Sequence, residues 1–160
     1  MCDIAWAAGF FDGEGSVSLL WSKRKANKNV WWRLQVTVVN CDRRALERFV
    51  EVVGEGRLYT RRPQEGHRTI HYLRSSDAVA ERILRRLQSH LVSKKEVVDL
   101  ALESRELGQR KPYERIPEER WLRLIEIENG IKARNGRSHR KATVEMRDRE
   151  SHIVIRHTST

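Results

Sequence analysis

Twice in this chain a stretch of strict polar and apolar alternation follows a stretch of helical spacing, and that change of period limits what the chain can fold into. From Ser16 to Lys25, Val17, Leu19 and Trp21 fall on one side of an extended strand, with Ser16, Ser18, Leu20, Ser22 and Arg24 on the other. A polar, basic turn follows at Lys25-Ala26-Asn27-Lys28-Asn29. Alternation then resumes, setting Trp32, Leu34, Val36 and Val38 against Trp31, Arg33, Gln35 and Thr37. The pattern predicts a long β-hairpin, buried on one face and polar to basic on the other. In a second hairpin Leu58 lies opposite Arg57, Tyr59 and Arg61, and the return strand from Arg68 to Arg74 carries Ile70, Tyr72 and Leu73. Pro63, Gln64, Glu65 and Gly66 supply its turn.

Helices are predicted before, between and after the hairpins. Asp3 is a candidate N-cap for a short, nearly all-apolar helix containing Ile4, Ala5, Ala7, Ala8, Phe10 and Phe11, which Gly13 and Gly15 stop. Asp42 caps a second helix, with Leu46, Phe49, Val50 and Val53 at a 3.6-residue period and Gly54 as its stop. Ser76 or Asp77 caps a third, striped with Val79, Ile83, Leu84, Leu87 and Leu91. A fourth runs from about Lys94 to Leu107, and Pro117 starts a last amphipathic helix that Asn129-Gly130 ends or weakens. This order predicts an α+β domain: a four-stranded antiparallel sheet with its helices on one face. Residues 1–110 form the core, and 111–160 a helical extension with a basic tail.

Charge decides what the uncovered face of such a sheet can meet. The 160 residues carry a formal net charge of +10 and a pI of about 10.2, so a polyanionic partner is expected, nucleic acid first. A two-stranded ribbon can enter the DNA major groove, where polar side chains at every second position reach base edges. Membrane attachment is disfavoured because no apolar run approaches the roughly 18 residues of a span. Met1-Cys2-Asp3 does not open a signal peptide, and Cys2 and Cys41 fit no CxxC pattern. A reducing, intracellular compartment is therefore expected, in a prokaryotic or phage-infected cytoplasm or an organelle matrix, without secretion.

The stretch Ala7-Ala8-Gly9-Phe10-Phe11-Asp12-Gly13-Glu14-Gly15 sets two acids at the end of a helix, where the partial negative charge of the terminus disfavours them. Something positive must offset them, and a bound divalent cation is the obvious candidate in a chain this basic. These nine residues resemble the LAGLIDADG motif of homing endonucleases. Ala7 stands for the first Leu, Phe10 and Phe11 for Leu and Ile, Gly13 for Ala, and Glu14 for the second acid. The order of elements is similar to that family's along most of the chain. Nothing after Gly108 repeats the motif, so the resemblance is to the single-motif, I-CreI-like branch.

The resemblance implies the αββαββα LAGLIDADG fold, with a DNA-binding saddle on the open face of the sheet. It implies a homodimer that hydrolyses both strands of a long, near-palindromic double-stranded DNA target. Its motif helices would meet through Ala8, Gly9, Phe11 and Asp12. Glu14 and the carbonyl of Gly13 would hold Mg²⁺, for which Mn²⁺ or Ca²⁺ could substitute. Asp12 is a lesser metal-ligand candidate beside a capping role. Lys94 and Asn40 match the positions that arrange solvent at the phosphate. The DNA contacts implied are Ser18, Ser22, Arg24, Lys28, Trp31, Arg33, Gln35 and Thr37 on the first hairpin. Arg57, Tyr59, Arg61, Arg68, Tyr72 and Arg74 follow on the second, with Arg140 and Lys141 in the tail. The alternative is a catalytically inactive DNA-binding protein, or a maturase acting on intron RNA.

Overall fold

In a computed structural model, which describes residues 3–23, 30–61, 68–108 and 117–136, and of 21–23, 30 and 31 only the backbone, both alternating stretches are hairpins of one sheet. The chain runs α1 (Asp3–Glu14), β1 (Gly15–Lys23), β2 (Val30–Asn40), α2 (Arg43–Val53), β3 (Arg57–Arg61) and β4 (Ile70–Ser76). Next come α3 (Asp77–Leu87), a 3₁₀ turn (Gln88–His90), α4 (Lys95–Gly108) and α5 (Glu118–Arg134). The four strands are antiparallel in the order β1-β2-β4-β3, so the two hairpins join along β2 and β4. This is the α+β, LAGLIDADG-type architecture that the order of elements predicts.

Register follows the alternation. Val17 pairs with Val36, Leu19 with Leu34, Val38 with Leu73, and Leu73 in turn with Leu58. All but Leu58 are buried, on the face that the helices cover. Ala7, Ala8 and Phe11 of α1 pack there with Leu46, Phe49 and Val53 of α2, and Ile83, Leu84 and Leu87 of α3. The Phe11 and Phe49 rings stack with centroids 6.3 Å apart. Burying one such side chain contributes about 1.5–3 kcal/mol, so the inner stripe of α1 anchors the helix to the sheet. The caps of α2 are those its sequence predicts. Asp42 accepts the Arg44 N–H at 2.9 Å, and Gly54, at φ 73°, donates its own N–H to the Val50 carbonyl at 2.8 Å.

The last helix departs from expectation. It runs through Asn129-Gly130 to Arg134, with Ile127 and Ile131 buried on either side of the glycine. A Cβ at Gly130 would stand 3.2 Å from Leu100 Cδ1 of α4, so the glycine lets two helices approach rather than ending one. Among the described residues no helix is long and apolar enough to cross a membrane.

One inward position of α5 is charged. Glu128 is only 3% exposed; one carboxylate oxygen pairs with Lys132 and the other has no partner. Burial pushes this carboxyl up, and the hydrogen bond and charge of Lys132 offset that only in part. An acid that holds its proton more tightly when folded loses stability as pH rises through its folded pKa. Glu128→Met, which removes the charge and leaves Lys132 reaching water, is therefore expected to stabilise the protein by about 1–2 kcal/mol at neutral pH. Urea unfolding should show that gain shrinking as the pH is lowered toward about 4.

Candidate active site and nucleic-acid interface

The helix α1 passes into β1 with no residue between them, and Gly15 is the reason. A Cβ there would lie 2.4 Å from Phe11 Cδ2 and 2.6 Å from the Phe11 carbonyl oxygen, so no other residue fits without shifting backbone. The joint fixes Glu14 at the helix end, exposed, with no hydrogen bond or ion pair among the described residues. Gly13 beside it is exposed as well, and carbonyls in a helix's last turn lack intrahelical partners. A free carboxylate and a neighbouring carbonyl are the oxygen donors a hard cation takes.

Asp12 is placed differently. Its Oδ2 accepts the backbone N–H of Val92 at 2.8 Å and of Ser93 at 3.2 Å, and its Oδ1 that of Lys94 at 2.9 Å. These amides lead directly into α4, so an acid at the wrong end of α1 serves as an anion at the favourable end of another helix. Burial raises the carboxyl, but the Val92, Lys94 and Ser93 hydrogen bonds outweigh it and hold Asp12 below the usual carboxylate value. Both oxygens accept backbone N–H groups within the chain, which is the capping role set beside metal ligation for Asp12.

Lys94 lies at the same place: its ammonium donates to the backbone carbonyl of Asp12. The cation thus neutralises the end of α1, two residues from Glu14. Asn40 does not join them. It shares the helix-side parity of Val36 and Val38, pairs with His71, and its Oδ1 accepts the Asp42 N–H at 2.8 Å. Its carbonyl end accepts in the turn into α2.

The expected dimer face is corrected in part. Ala8 and Phe11 are fully buried in the chain's own core and have no surface to offer a partner. The outward stripe of α1 is Ala5, Gly9 and Gly13, all exposed, and a Cβ at Gly9 would meet nothing within 4 Å. Their i, i+4, i+8 spacing was available as a signal, since such residues share one side of a helix.

On the open face of the sheet the predicted readers come together. Ser18 pairs with Gln35, Leu20 with Arg33, and Ser16, Thr37, Arg74 and Arg57 form one row across all four strands. The next row is Val39, Tyr72 and Tyr59, and Arg61 pairs with Ile70 beyond it. Gln35 Nε2 donates to Thr37 Oγ1 at 3.4 Å, and Arg33 lies 3.8 Å from Asp77, whose φ is 50°. That ion pair had no signal in the sequence, because it needs β4 and α3 to be joined without a loop. Arg68 is exposed just before β4. Ser22 and Trp31 lie in strands but their side chains fall outside the described residues, as do Arg24, Lys28, Arg140 and Lys141 entirely.

The sequence pattern of the LAGLIDADG endonuclease family matches residues 7–99, more than half of the chain, from the motif through the first turn of α4. The chain belongs to that family. Solved homing endonucleases share the fold. An archaeal intron-encoded enzyme, I-Vdi141I, complexed with DNA, is 17% identical, with 86% of this chain and 87% of that chain covered at a TM-score of 0.68. I-CvuI, in complex with its target in the presence of 2 mM Ca, is 17% identical over 82% of this chain and 80% of that one, at a TM-score of 0.63. I-TnaI is 18% identical over 83% of this chain and 95% of that one, at 0.61. No curated protein matches in sequence.

Asp12→Ala should cost about 2 kcal/mol, the worth of hydrogen bonds to a charged acceptor. A carboxyl with a depressed folded pKa contributes stability above its unfolded value, and that contribution is lost as pH falls through the folded one. Chemical denaturation should therefore show wild type and Asp12→Ala far apart at neutral pH. They converge below about pH 3.9, the usual aspartate value.

Proposed function

We propose that this chain is a site-specific homing endonuclease that acts as a homodimer and hydrolyses both strands of a long, near-palindromic DNA duplex with a divalent cation, Mg²⁺ first. The observation that carries the proposal is the position of Glu14. A carboxylate with no partner among the described residues stands at the end of a helix with a small-residue outer stripe, two residues before the Ser16 row of an open sheet face. Among the described residues no group of three or more His, Cys, Asp or Glu could hold a metal ion. Mg²⁺ is commonly held by one or two carboxylates plus substrate phosphates, which Glu14, the Gly13 carbonyl and a bound DNA strand would supply. Complexes of related enzymes with DNA and Ca or Mg support this choice of partner and ion.

In the proposed dimer the Ala5, Gly9 and Gly13 stripes of two α1 helices pack together and bring one Glu14 from each chain toward the same stretch of DNA. Two such acids repel each other, and cations between them remove the repulsion. A divalent cation there would supply Lewis acidity at the phosphate and a stronger water nucleophile at neutral pH. Glu14 orients that ion against the duplex. Lys94, held on the Asp12 carbonyl, contributes positive charge beside the phosphate without depending on the metal. The open sheet face positions the DNA so that each strand presents one phosphodiester to one acid.

Purified protein with Mg²⁺ should linearise a plasmid bearing its site. Glu14→Gln should bind that site with unchanged affinity and cut it about a hundredfold more slowly or worse. Cleavage by the Gln variant at the wild-type rate would refute the assignment. Affinity should fall steeply with salt, with a log–log slope of roughly −0.9 for each neutralised phosphate. Gly9→Arg, whose Cβ would meet nothing within 4 Å among the described residues, should leave the protomer folded by circular dichroism yet monomeric by sedimentation.

A further inference from the structure

Four side chains of the second hairpin form a block on the open face. Arg57 on β3 lies opposite Arg74 on β4, and Tyr59 lies opposite Tyr72 one row on. The tyrosine rings stack with centroids 5.3 Å apart and 18° between planes. Arg57 sits over the Tyr59 ring, 5.6 Å from its centroid, and Arg74 over Tyr72 at 5.2 Å. Like charges directly opposite on neighbouring strands disfavour the pairing, and among the described residues neither arginine has a carboxylate partner. The block therefore stores an unsatisfied demand for electron-rich atoms.

A guanidinium over a ring engages only its face, and its N–H edge stays free in a fixed fork. That fork matches O6 and N7 of guanine, which accept two parallel hydrogen bonds in the major groove. The position favours a base over a phosphate. Arg74 stands on β4, an inner strand, flanked by Thr37 and Arg57 rather than on the rim of the sheet. The adjoining row holds Val39 and Tyr59, each 39% exposed, and apolar surface there suits a thymine methyl but not a phosphate. From this geometry we infer that Arg74 specifies a guanine in each half of the DNA target, and that Tyr72 is a positioning residue that holds its fork ready. The inference rests on the proposed DNA binding and adds to it which base is chosen and by which side chain.

The test is selection from a library of randomised duplex DNA by the full-length protein, with Ca²⁺ in place of Mg²⁺ so that bound sites survive. Wild type should select at least one fixed guanine per half-site. Arg74→Ala should release it, lowering affinity for the selected site on the order of ten- to a hundredfold while other positions keep their preference. Tyr72→Leu should relax the same column as Arg74→Ala, and Tyr72→Phe should restore it. If Arg74→Ala loses affinity equally for all sequences, with the salt slope reduced by about one, Arg74 holds a phosphate and the inference is overturned. If wild type selects no sequence, the DNA-binding proposal itself fails and takes the inference with it.

Discussion

The Asp12 carboxylate binds amides 80 to 82 residues further along the chain, and Lys94 returns a hydrogen bond to the Asp12 carbonyl. This two-way clasp ties the end of α1 to the start of α4. It solves an electrostatic problem on both sides: the partial negative end of α1 meets an ammonium, and the partial positive start of α4 meets a carboxylate. Glu14 is the beneficiary, because the backbone that carries it can move neither along the helix axis nor away from α4.

Gly15 completes the constraint from the other side. Phe11 is held by Phe49, and the space it leaves above Gly15 admits no side chain, so the strand must begin where the helix ends. The division of labour within nine residues follows from direction alone. Ala7, Ala8 and Phe11 point into the sheet, Gly9 and Gly13 point outward, Asp12 points across to α4, and Glu14 stands free. The same separation of duties holds in the sheet, where one parity builds the core and the other lays out rows of Ser, Thr, Arg and Tyr for a nucleic acid.

Most of the architecture was legible in the residues. Alternation located both hairpins and their inward faces because a strand's side chains must divide between water and core. Asp42 and Gly54 marked the ends of α2 because each has a local conformational preference that acts within a few residues. Gly130 was misread for a complementary reason: a glycine looks the same in sequence whether it ends a helix or admits another one.

By itself the sequence determined the periods, the caps, the net charge and the nine-residue motif, all of which depend on neighbours along the chain. Tertiary structure alone decided how Asp12 is used and that Arg57 stands opposite Arg74 across the second hairpin. Those outcomes depend on contacts between segments tens of residues apart. Contacts of that kind are set by how the end of α1 meets the segment leading into α4 and by the pairing of β3 with β4, and no local preference specifies them.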